Sequence, residues 1–329
     1  MKLASKISLV ALALSTGSAF AADLPSRKAA IVPVAPPPMW TGFYAGLNAG
    51  YGFGGSNNVN STATAWDQYA STYYTTWPTV PNLNGTFGAV QAGNTGNTSM
   101  NLNGFAGGAQ VGYNYQWGNS VVVGLEADIQ GAGIRGNANY MGIGADSYRM
   151  GRMNMPHGDR QVMGYGSVQG TLDWFGTVRG RVGYLAMPSL LVYATGGLTY
   201  GGATANANYT SVTSWKNTGM LNFNYNQTGF GTGNGSSTLV GWNAGGGLEW
   251  MFMPNWSLKG EAFYYNLGNL NLQGYAMTPA SGLPAQMSTV IGEAQMIYPN
   301  TRVSYNGVIA RAGVNYHFNL GSAPVVAKF

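Results

Sequence analysis

The chain has no cysteine among its 329 residues, and charged residues make up only 8% of it. The lack of cysteine excludes disulfides, thiolate metal sites and thiol chemistry, so core packing or barrel closure has to hold the fold. The scarcity of charge fits neither an ordinary globular surface nor a charge-rich disordered chain. We therefore expect something other than water to cover part of the surface.

Long hydrophobic runs are also missing. The apolar run at 7–14 covers only about half of the roughly 20 apolar residues that a membrane-spanning helix needs. Two lysines precede this run, and the small residues Ala19 and Ala21 stand at the two positions that a signal peptidase reads. The pattern predicts a signal peptide over residues 1–21, cleavage before Ala22, and export.

The abundant residues are those of strands and turns. Glycine occurs 51 times and tyrosine 21 times, whereas the helix formers Glu and Lys are scarce. This composition favours strands and loops over helices. The sequence therefore predicts an all-β fold.

Residues 22–39 form a proline-rich segment between the signal peptide and the first strand. Its prolines are Pro25, Pro33, Pro36, Pro37 and Pro38. Proline cannot donate a hydrogen bond to a strand ladder, and proline runs are extended, so we predict a periplasmic spacer.

From residue 40 onward, segments of about a dozen residues alternate apolar or aromatic with small or polar side chains, which predicts a hairpin meander. The predicted strands are 40–53, 103–117, 121–134, 170–185, 190–202, 238–251, 257–269 and 303–318. Short connections (118–120, 186–189, 252–256) alternate with long ones (54–102, 135–169, 203–237, 270–302). This alternation places the two kinds on opposite rims. We predict an eight-stranded antiparallel up-and-down transmembrane β-barrel over 40–318, with four long extracellular loops and a C-terminal tail at 319–329.

The period of two is clearest in the last strand. One face carries Val308, Ala310, Ala312, Val314, Tyr316 and Phe318, and the other carries Arg311, Gly313, Asn315 and His317. A soluble sandwich would also alternate. The signal peptide, the even strand count and strands long enough to cross a bilayer favour the membrane, so we expect lipid on the first face.

Aromatic residues mark the ends of several predicted strands. They are Trp40, Phe43 and Tyr51 on the first, Tyr113, Tyr115 and Trp117 on the second, and Trp242 and Trp250 on the sixth. Such rings suit the interface between lipid and headgroup. The alternative is that they are ordinary β-formers.

The alternation of side chains along the predicted strands places eight ionisable residues on the side that faces the lumen. They are Glu126, Asp128, Arg179, Arg181, Glu249, Lys259, Glu261 and Arg311, four acids and four bases. The interior of a barrel of about eight strands is just filled by side chains, and an unpaired buried charge is costly. We therefore predict a paired charge network that plugs the lumen; the alternative is a constriction that lines a solute path.

The predicted loop 135–169 carries an excess of basic residues. It holds Arg135, Arg149, Arg152 and Arg160 against Asp146 and Asp159. The planar guanidinium suits phosphate, so this loop could meet anionic lipopolysaccharide. The alternative is a solvated loop with no dedicated ligand. No aromatic and basic pattern of a nucleic-acid-binding module occurs, so nucleic acid is not an expected partner.

Catalytic residues are hard to find, because His157 and His317 are the only histidines. His157 with Asp159 could serve a loop serine in a lipid-modifying barrel enzyme; the alternative is that both are ordinary polar residues. The stretch 131–136 spells a dinucleotide fingerprint, but no helix follows it, and a glycine-rich chain generates such matches freely. We predict no enzyme, no metal and no cofactor.

Four segments resemble one family. The stretches 22–25 (ADLP) with the proline spacer, 40–46 (WTGFYAG) and 178–184 (VRGRVGY) are similar to small alphaproteobacterial outer-membrane porin-like proteins with an OmpA-like eight-stranded barrel. The stretch 311–318 is similar to the family's barrel-assembly signal, which implies Gly313, Tyr316 and Phe318 as the residues that the barrel-assembly machinery reads. The resemblance covers the signal peptide, the spacer and all strands, but not the long loops.

The chain departs from the family in its last residues. Typical members stop at the aromatic that closes the last strand, whereas this chain continues to Phe329. Pro324 argues against a ninth strand, so Phe318 is the expected end of the barrel. The resemblance implies an abundant, often immunogenic surface protein, sometimes credited with pore or haem-binding activity. We hold a structural surface barrel as the first hypothesis and a small porin for hydrophilic solutes as the second.

Overall fold

The computed structural model of the chain describes residues 40–67, 86–149, 157–217, 223–278 and 295–318. The predicted signal peptide, spacer and C-terminal tail lie outside these ranges. Within them, no helix is long and apolar enough to cross a bilayer.

Strands dominate the described residues, with one short helix among them. The elements are β1 Gly42–Gly54, β2 Asn57–Asp67, α1 Thr86–Gly93, β3 Gly96–Met100, β4 Gly104–Trp117, β5 Val121–Arg149, β6 His157–Met187, β7 Leu190–Asn217, β8 Phe223–Met253, β9 Trp256–Thr278 and β10 Gln295–Phe318.

Eight of these strands close into a ring. Neighbours pair antiparallel in the order β1-β4-β5-β6-β7-β8-β9-β10, and β10 pairs back onto β1 with Phe318 opposite Phe43 and Gly307 opposite Gly54. The connection between β4 and β5 is a tight turn in which Gly118 has φ +63°, a conformation that glycine adopts at little cost. The predicted eight-stranded antiparallel up-and-down barrel is confirmed.

The half of the ring that carries the short turns is apolar outside and polar inside. On β5, Leu125 and Ile129 are 68% and 59% exposed, whereas Glu126 and Asp128 between them are buried. Exposed aromatic side chains border this apolar zone on both sides. Those at the end with the short turns are Phe43, Tyr113, Tyr115, Trp117, Tyr184, Trp250, Trp256, Tyr316 and Phe318; those at the other border, the upper girdle, are Phe53, Phe105, Trp174, Trp242 and Tyr264. The separation of the two borders, as from Phe43 to Phe53 along β1, matches the roughly 9–11 residues of a membrane-spanning strand.

Trp40 is an exception among the predicted interface aromatics. It is fully buried, donates its indole N–H to the carbonyl oxygen of Pro188 at 3.1 Å, and meets the ring of His317 edge-on at 5.7 Å between centroids. The prediction for Trp40 is wrong because the chain turns inward before β1 begins and carries this ring into the mouth of the barrel. The mouth is therefore lined by an aromatic cluster at the end that bears the short turns.

The predicted long loops are mostly wrong. Strands β5 to β10 continue past the upper girdle, so that 135–149 and 157–169 are paired strand where 135–169 was predicted as loop. The same holds for 203–217 with 223–237 and for 270–278 with 295–302. These continuations of the strands form a further segment of the barrel wall beyond the upper girdle, which we call the extension.

The error has a physical cause, because the polarity of the wall inverts above the upper girdle. In the extension the inward side chains are apolar, as with Ile134 and Tyr140, and the outward ones are polar, as with Asn137 and Asn139. The membrane-spanning half has the opposite arrangement. A search for strands with apolar residues facing lipid therefore stops at the girdle, although the period of two continues.

The first predicted loop, 54–102, is also structured. Beyond Gly54 the chain turns into β2, which takes the place of β1 beside β10 with Val59 opposite Val303, and β3 pairs with β2. The helix α1 between them packs inside the extension against glycines of the wall, where a side chain at Gly144 would collide with the carbonyl oxygen of Ala89.

The interior of the extension is a hydrophobic core. Its largest members are fully or almost fully buried, and α1 contributes Ala89 and Val90 to it. Other members are Val59, Met100, Leu102, Ile134, Val162, Leu172, Phe175, Phe263, Tyr265, Leu272 and Tyr305. The barrel thus has a polar interior at the depth of the outward apolar zone and an apolar interior above it.

Candidate functional site in the barrel lumen

All eight predicted lumenal charges lie inside the ring, and the structure brings them together. They stand on β5 (Glu126, Asp128), β6 (Arg179, Arg181), β8 (Glu249), β9 (Lys259, Glu261) and β10 (Arg311). Each is at most 6% exposed. Alternation along each strand places them, because every one occupies an inward position between outward apolar or small residues.

One ion pair crosses the full width of the ring, and another crosses most of it. The Nζ of Lys259 lies 2.9 Å from both carboxylate oxygens of Glu126, and β9 is four strands from β5 in either direction around the ring. The Nη2 of Arg179 donates to the carboxylate of Glu261 at 3.0 Å across three strands, and also to Glu126. The interior is therefore narrow enough at this level for side chains from opposite walls to meet.

Arg179 and Arg311 share their acceptors. Both donate to Asp128 Oδ2, Arg179 at 3.2 Å and Arg311 at 2.6 Å, and both donate to Glu261. Their guanidinium groups lie over the ring of Phe263 at 4.9 and 5.1 Å from its centroid. Because each carboxylate touches more than one base, the network is continuous rather than a set of separate pairs.

A second group lies nearer the mouth with the short turns. Arg181 donates to Glu249 Oε2 at 2.9 Å and to the side-chain oxygen of Asn114 at 2.8 Å. Its guanidinium also lies between the rings of Tyr44 and Tyr193, at 4.8 and 5.2 Å. Cations over aromatic faces are attracted to the ring quadrupole, and desolvation strengthens the attraction.

Sequence reasoning missed the neutral members of this network. Tyr44 donates its hydroxyl to Glu126 at 2.7 Å, and Tyr193 donates to Glu261 at 2.8 Å. Gln110 accepts from Lys259 at 2.8 Å, and Asn315 donates to Glu249 at 2.7 Å. Alternation along the strands could have found them, since all four are inward and Asn315 is already on the predicted inward face, but only charged residues were assigned to the network.

Inward glycines make room for the network. A side chain at Gly247 would lie 2.8 Å from the hydroxyl of Tyr193 and 2.7 Å from the Cβ of Glu261. A side chain at Gly245 would collide with Phe263. The glycines that interrupt β8 therefore accommodate the large lumenal residues of the neighbouring strands.

Glu249, Ser257 and His317 have the residue types of a hydrolytic triad. Ser257 Oγ lies 2.9 Å from His317 Nε2, but it also donates directly to Glu249 Oε1 at 2.6 Å. The same His317 nitrogen lies 3.3 Å from that carboxylate oxygen. A triad needs the carboxylate on the other ring nitrogen, with the serine free to attack. The three residues are buried, and their arrangement is that of a structural hydrogen-bond cluster.

The predicted basic loop is a pair of strands. Arg160 is buried, donates to both carboxylate oxygens of Asp146 at 3.0 and 2.6 Å, and lies 5.0 Å from the centroid of the Trp215 ring. It faces the interior because β6 continues past the girdle, so Arg160 does not belong to an exposed basic loop as predicted. Arg135 is exposed on β5; Arg152 lies outside the described residues.

The residues of the hypothetical lipid-modifying site are also on strands. His157 begins β6 and stands opposite Arg149 on β5. Asp159 accepts a hydrogen bond from Ser147 Oγ at 2.8 Å. Within the described residues, no group of three or more His, Cys, Asp or Glu side chains could hold a metal ion.

The residues of the predicted assembly signal lie at the end of β10. Tyr316 and Phe318 are 36% and 43% exposed on the outward face, with ring centroids 5.1 Å apart. Gly313 faces inward, where a side chain would approach Asn48. A signal read by the assembly machinery at these residues stays a prediction.

A closed ring of eight antiparallel strands, apolar outside between two aromatic borders and charged inside, defines a transmembrane β-barrel. The chain is 30% identical over 262 residues to the 31 kDa outer-membrane immunogenic proteins of Brucella melitensis biotype 1 and Brucella suis biovar 1, a match that covers 79% of this chain and 85% of each relative. The chain belongs to this family and is a surface β-barrel protein of the outer membrane.

Other comparisons are more distant. The crystal structure of the outer membrane protein OprG from Pseudomonas aeruginosa matches 86% of this chain and 98% of its own, with 8% identity and a TM-score of 0.33. No protein-family model matches the chain.

Proposed function

We propose that the chain is a structural barrel of the outer membrane whose lumen is closed to solutes and whose extension is displayed outside the cell. The observation that carries the proposal is the set of ion pairs from opposite walls, above all Lys259 with Glu126 at 2.9 Å. Side chains that meet across the ring support a lumen without a free passage at that level.

The composition of the network supports closure rather than conduction. Its four acids and four bases balance, so the lumen presents no excess of one sign that would attract a charged solute. Each charge is buried and paired, and breaking such a pair to admit a solute leaves an uncompensated charge in a medium of low dielectric constant. The network is therefore more stable closed than open.

The apolar core of the extension supports a second level of closure. Leu102, Ile134, Leu272 and Tyr305 are at most 1% exposed and occupy the interior directly above the charged network. A polar solute would have to leave water and cross this core to reach the lumen, which costs several kcal/mol per unpaired polar group.

The orientation follows from the short and long connections. Outer-membrane barrels have short periplasmic turns and longer extracellular segments, and the turns at 118–120, 188–189 and 254–255 are at one end. The extension then faces the exterior, as suits a family whose named relatives are immunogenic. The lipid of the outer membrane covers the apolar zone, and the barrel-assembly machinery reads Phe318.

Planar-bilayer recording tests closure. The purified chain should add no regular ion steps at moderate voltage, and discrete steps of uniform size would refute the closed lumen. The variant Arg135→Met is a suitable control, because it removes an exposed charge of the extension and leaves the network unchanged.

The second candidate is a small porin for hydrophilic solutes. It is favoured by buried polar atoms in the network that have no protein partner within hydrogen-bonding distance, among them Arg179 Nη1, Arg311 Nη1 and Asp128 Oδ1. Liposomes that carry the chain should swell faster in sugar solutions than empty liposomes if this candidate is right. Equal swelling rates would reject it.

Within the described residues, Glu249, Ser257 and His317 form a structural cluster and Asp159 is bonded to Ser147, so we infer that the chain has no lipid-modifying activity. The chain should leave the lipid A of an expressing cell unchanged, and so should the variant His157→Ala. A lipid A species that appears with the wild-type chain and disappears with the variant would overturn this inference.

A further inference from the structure

The outer face of the extension carries a row of side-chain amides. On six neighbouring strands, residues that are directly paired in register and exposed to the outside are all Asn or Gln. They are Asn137, Gln169, Asn206, Asn234, Gln273 and Asn300, and Thr62 of β2 continues the row. We call these six residues the amide row. Adjacent strands lie about 4.8 Å apart, so the amides follow one another at that spacing.

The rows on either side of the amide row are also distinctive. Two residues closer to the membrane, a register row carries arginines and hydroxyl groups: Arg135, Thr171, Thr204 and Ser236 on β5 to β8, and Asn271 and Arg302 on β9 and β10. Four residues farther out, the row is mainly apolar: Met141, Tyr165, Thr210, Phe230, Met277 and Met296. None of these residues is acidic.

The exposure of the apolar row is unusual for a surface outside the membrane. Met141, Tyr165 and Phe230 are 55%, 45% and 67% exposed, and between the apolar and amide rows Tyr275 and Tyr298 form an exposed pair with ring centroids 5.5 Å apart. Contiguous exposed apolar side chains mark an interaction surface. We therefore expect a binding partner to cover this outer wall of the extension in the outer membrane.

The three rows together match the chemistry of a phosphorylated saccharide. Carboxamides both donate and accept, as sugar hydroxyls do. Aromatic and methionine side chains pack on the apolar faces of sugar rings, and guanidinium groups bind phosphate in a bidentate manner. The three rows carry two outward arginines and no acid, while the exposed Asp173 and Asp159 lie on either side of them, and this charge is complementary to an anionic glycan.

The shape of the surface decides between possible occupants. The rows run across six strands of the wall, and because barrel strands are tilted, they wind around it at an angle to the membrane. One globular partner reaches only one side of a cylinder, whereas the lipopolysaccharide of the outer leaflet surrounds it. The rows also begin directly above the apolar zone, so the surface continues the interface with the lipid.

We infer that the outer wall of the extension, from the arginine row to the apolar row, binds the oligosaccharide of the surrounding lipopolysaccharide. The inference rests on the proposed orientation, with the extension outside the cell. The saccharide anchors the extension laterally, much as lipid anchors the zone below it. The amide row supplies the hydrogen bonds, and the two arginines meet phosphate near the membrane.

The test compares the thermal unfolding midpoint of the full chain in bilayers that contain rough lipopolysaccharide, lipid A without core sugars, or phosphatidylglycerol. A ligand that binds only the folded state raises this midpoint. We expect the highest midpoint in rough lipopolysaccharide. The variant Asn137→Ala/Gln169→Ala/Asn206→Ala should lose most of the increase relative to lipid A and keep its midpoint in phosphatidylglycerol.

A matched control removes the same residue types beyond the apolar row. The variant Gln161→Ala/Asn224→Ala/Asn226→Ala takes away one exposed Gln and two exposed Asn of the same extension, and it should retain the full increase. Equal midpoints of the wild-type chain in rough lipopolysaccharide and lipid A would overturn the inference, because phosphate alone would then explain binding. An unchanged increase in the amide variant would overturn it as well.

Two further measurements separate this inference from its alternatives and from the proposed function. If the amide variant changes the sedimentation of the chain in detergent, the row is a contact between copies, and the inference fails. Proteolysis of intact cells tests the orientation on its own, and conductance tests the lumen, which the outward substitutions do not touch. Failure of the proposed orientation or of the closed lumen is therefore detected separately from failure of saccharide binding.

Discussion

Arg179 is the residue on which the lumenal network depends most, because its guanidinium touches three carboxylates. It donates to Glu126, Asp128 and Glu261 and is 1% exposed. The variant Arg179→Met keeps much of the side-chain volume but leaves those acids with one base fewer. Removing one partner of a buried ion pair costs about 3–5 kcal/mol. We expect a lower urea midpoint for the refolded chain in lipid vesicles.

The control for Arg179 is the exposed Arg135 of the extension. Exposed charges contribute roughly 0–1 kcal/mol to stability, so Arg135→Met should unfold at nearly the wild-type urea concentration. Equal midpoints for Arg179→Met and Arg135→Met would mean that the lumenal charges are hydrated well enough to stand alone. That result would also favour the porin over the closed barrel.

Trp40 allows a second prediction for a single side chain. Replacing a large buried aromatic with alanine costs about 3–5 kcal/mol, so Trp40→Ala should lower the urea midpoint strongly. Trp40→Phe keeps an aromatic ring against His317 but loses the hydrogen bond to the Pro188 carbonyl, which is 3.1 Å long. The urea midpoint of Trp40→Phe should lie between those of the wild-type chain and Trp40→Ala. A wild-type midpoint for Trp40→Ala would show that the mouth is not packed around this ring.

At the scale of the elements, the strands of the extension make the clearest prediction. Backbone amides at 134–149 and 157–172 are paired across β5 and β6, although their outward side chains are as polar as those of a loop. Amides in a strand ladder exchange with solvent only when the ladder opens. We expect hydrogen exchange at these positions to be slow, comparable with 121–131 of the same strand. Exchange within seconds would instead support the prediction that these segments are loops.

The helix α1 makes a second prediction at this scale, because it rests on wall glycines. A methyl group at Gly144 would collide with the carbonyl oxygen of Ala89, whereas one at Gly260 would meet nothing within 4 Å. Gly144→Ala should displace α1 and expose 86–100 to proteases, while Gly260→Ala should leave cleavage unchanged. Protection of this segment in both variants would mean that α1 is not held by the glycine contact.

The elements also show how far sequence reasoning reaches. Leu125 and Glu126 alternate as a lipid-facing strand requires, so the membrane-spanning half could be placed from the period and the polarity together. Ala138 and Asn139 alternate with the opposite polarity, and a rule that looks for apolar residues outside rejects them. The elements β2, α1 and β3 were not predicted for another reason. They are ordered mainly by contacts with distant strands, as when Val59 pairs with Val303.

The lumenal site was predictable to a similar degree. Parity places Glu126 and Arg179 inside without any structure, because a charge on the lipid face of a barrel strand is costly. It does not show that Lys259 reaches Glu126 on the opposite wall, which depends on the diameter and stagger of the ring. The placement of Trp40 at the membrane interface is wrong, because this residue precedes β1 and has no strand partner to give it a side.

At the scale of the whole molecule, the interior changes its chemistry once along the axis. At membrane depth it is a hydrogen-bonded charge network, and in the extension it is an apolar core. At membrane depth apolar side chains face lipid around the charged interior, and in the extension the outward side chains below the apolar row are mostly polar around an apolar interior. The hydrophobic side of the wall therefore switches from outside to inside at the upper girdle, and apolar side chains return to the outside at the apolar row.

This arrangement predicts that the lumen has two independent closures. Removing Glu126 and Lys259 together keeps the charge balance, so Glu126→Ala/Lys259→Ala should widen the lower level and still show no ion steps in planar bilayers, because Leu272 and Tyr305 close the level above. Adding Leu272→Ala and Tyr305→Ala should produce steps. Leu272→Ala with Tyr305→Ala, without the two charge substitutions, should not produce ion steps. Conduction by the charge variant alone would show that the core of the extension admits water, and the closed barrel would then depend on the charges only.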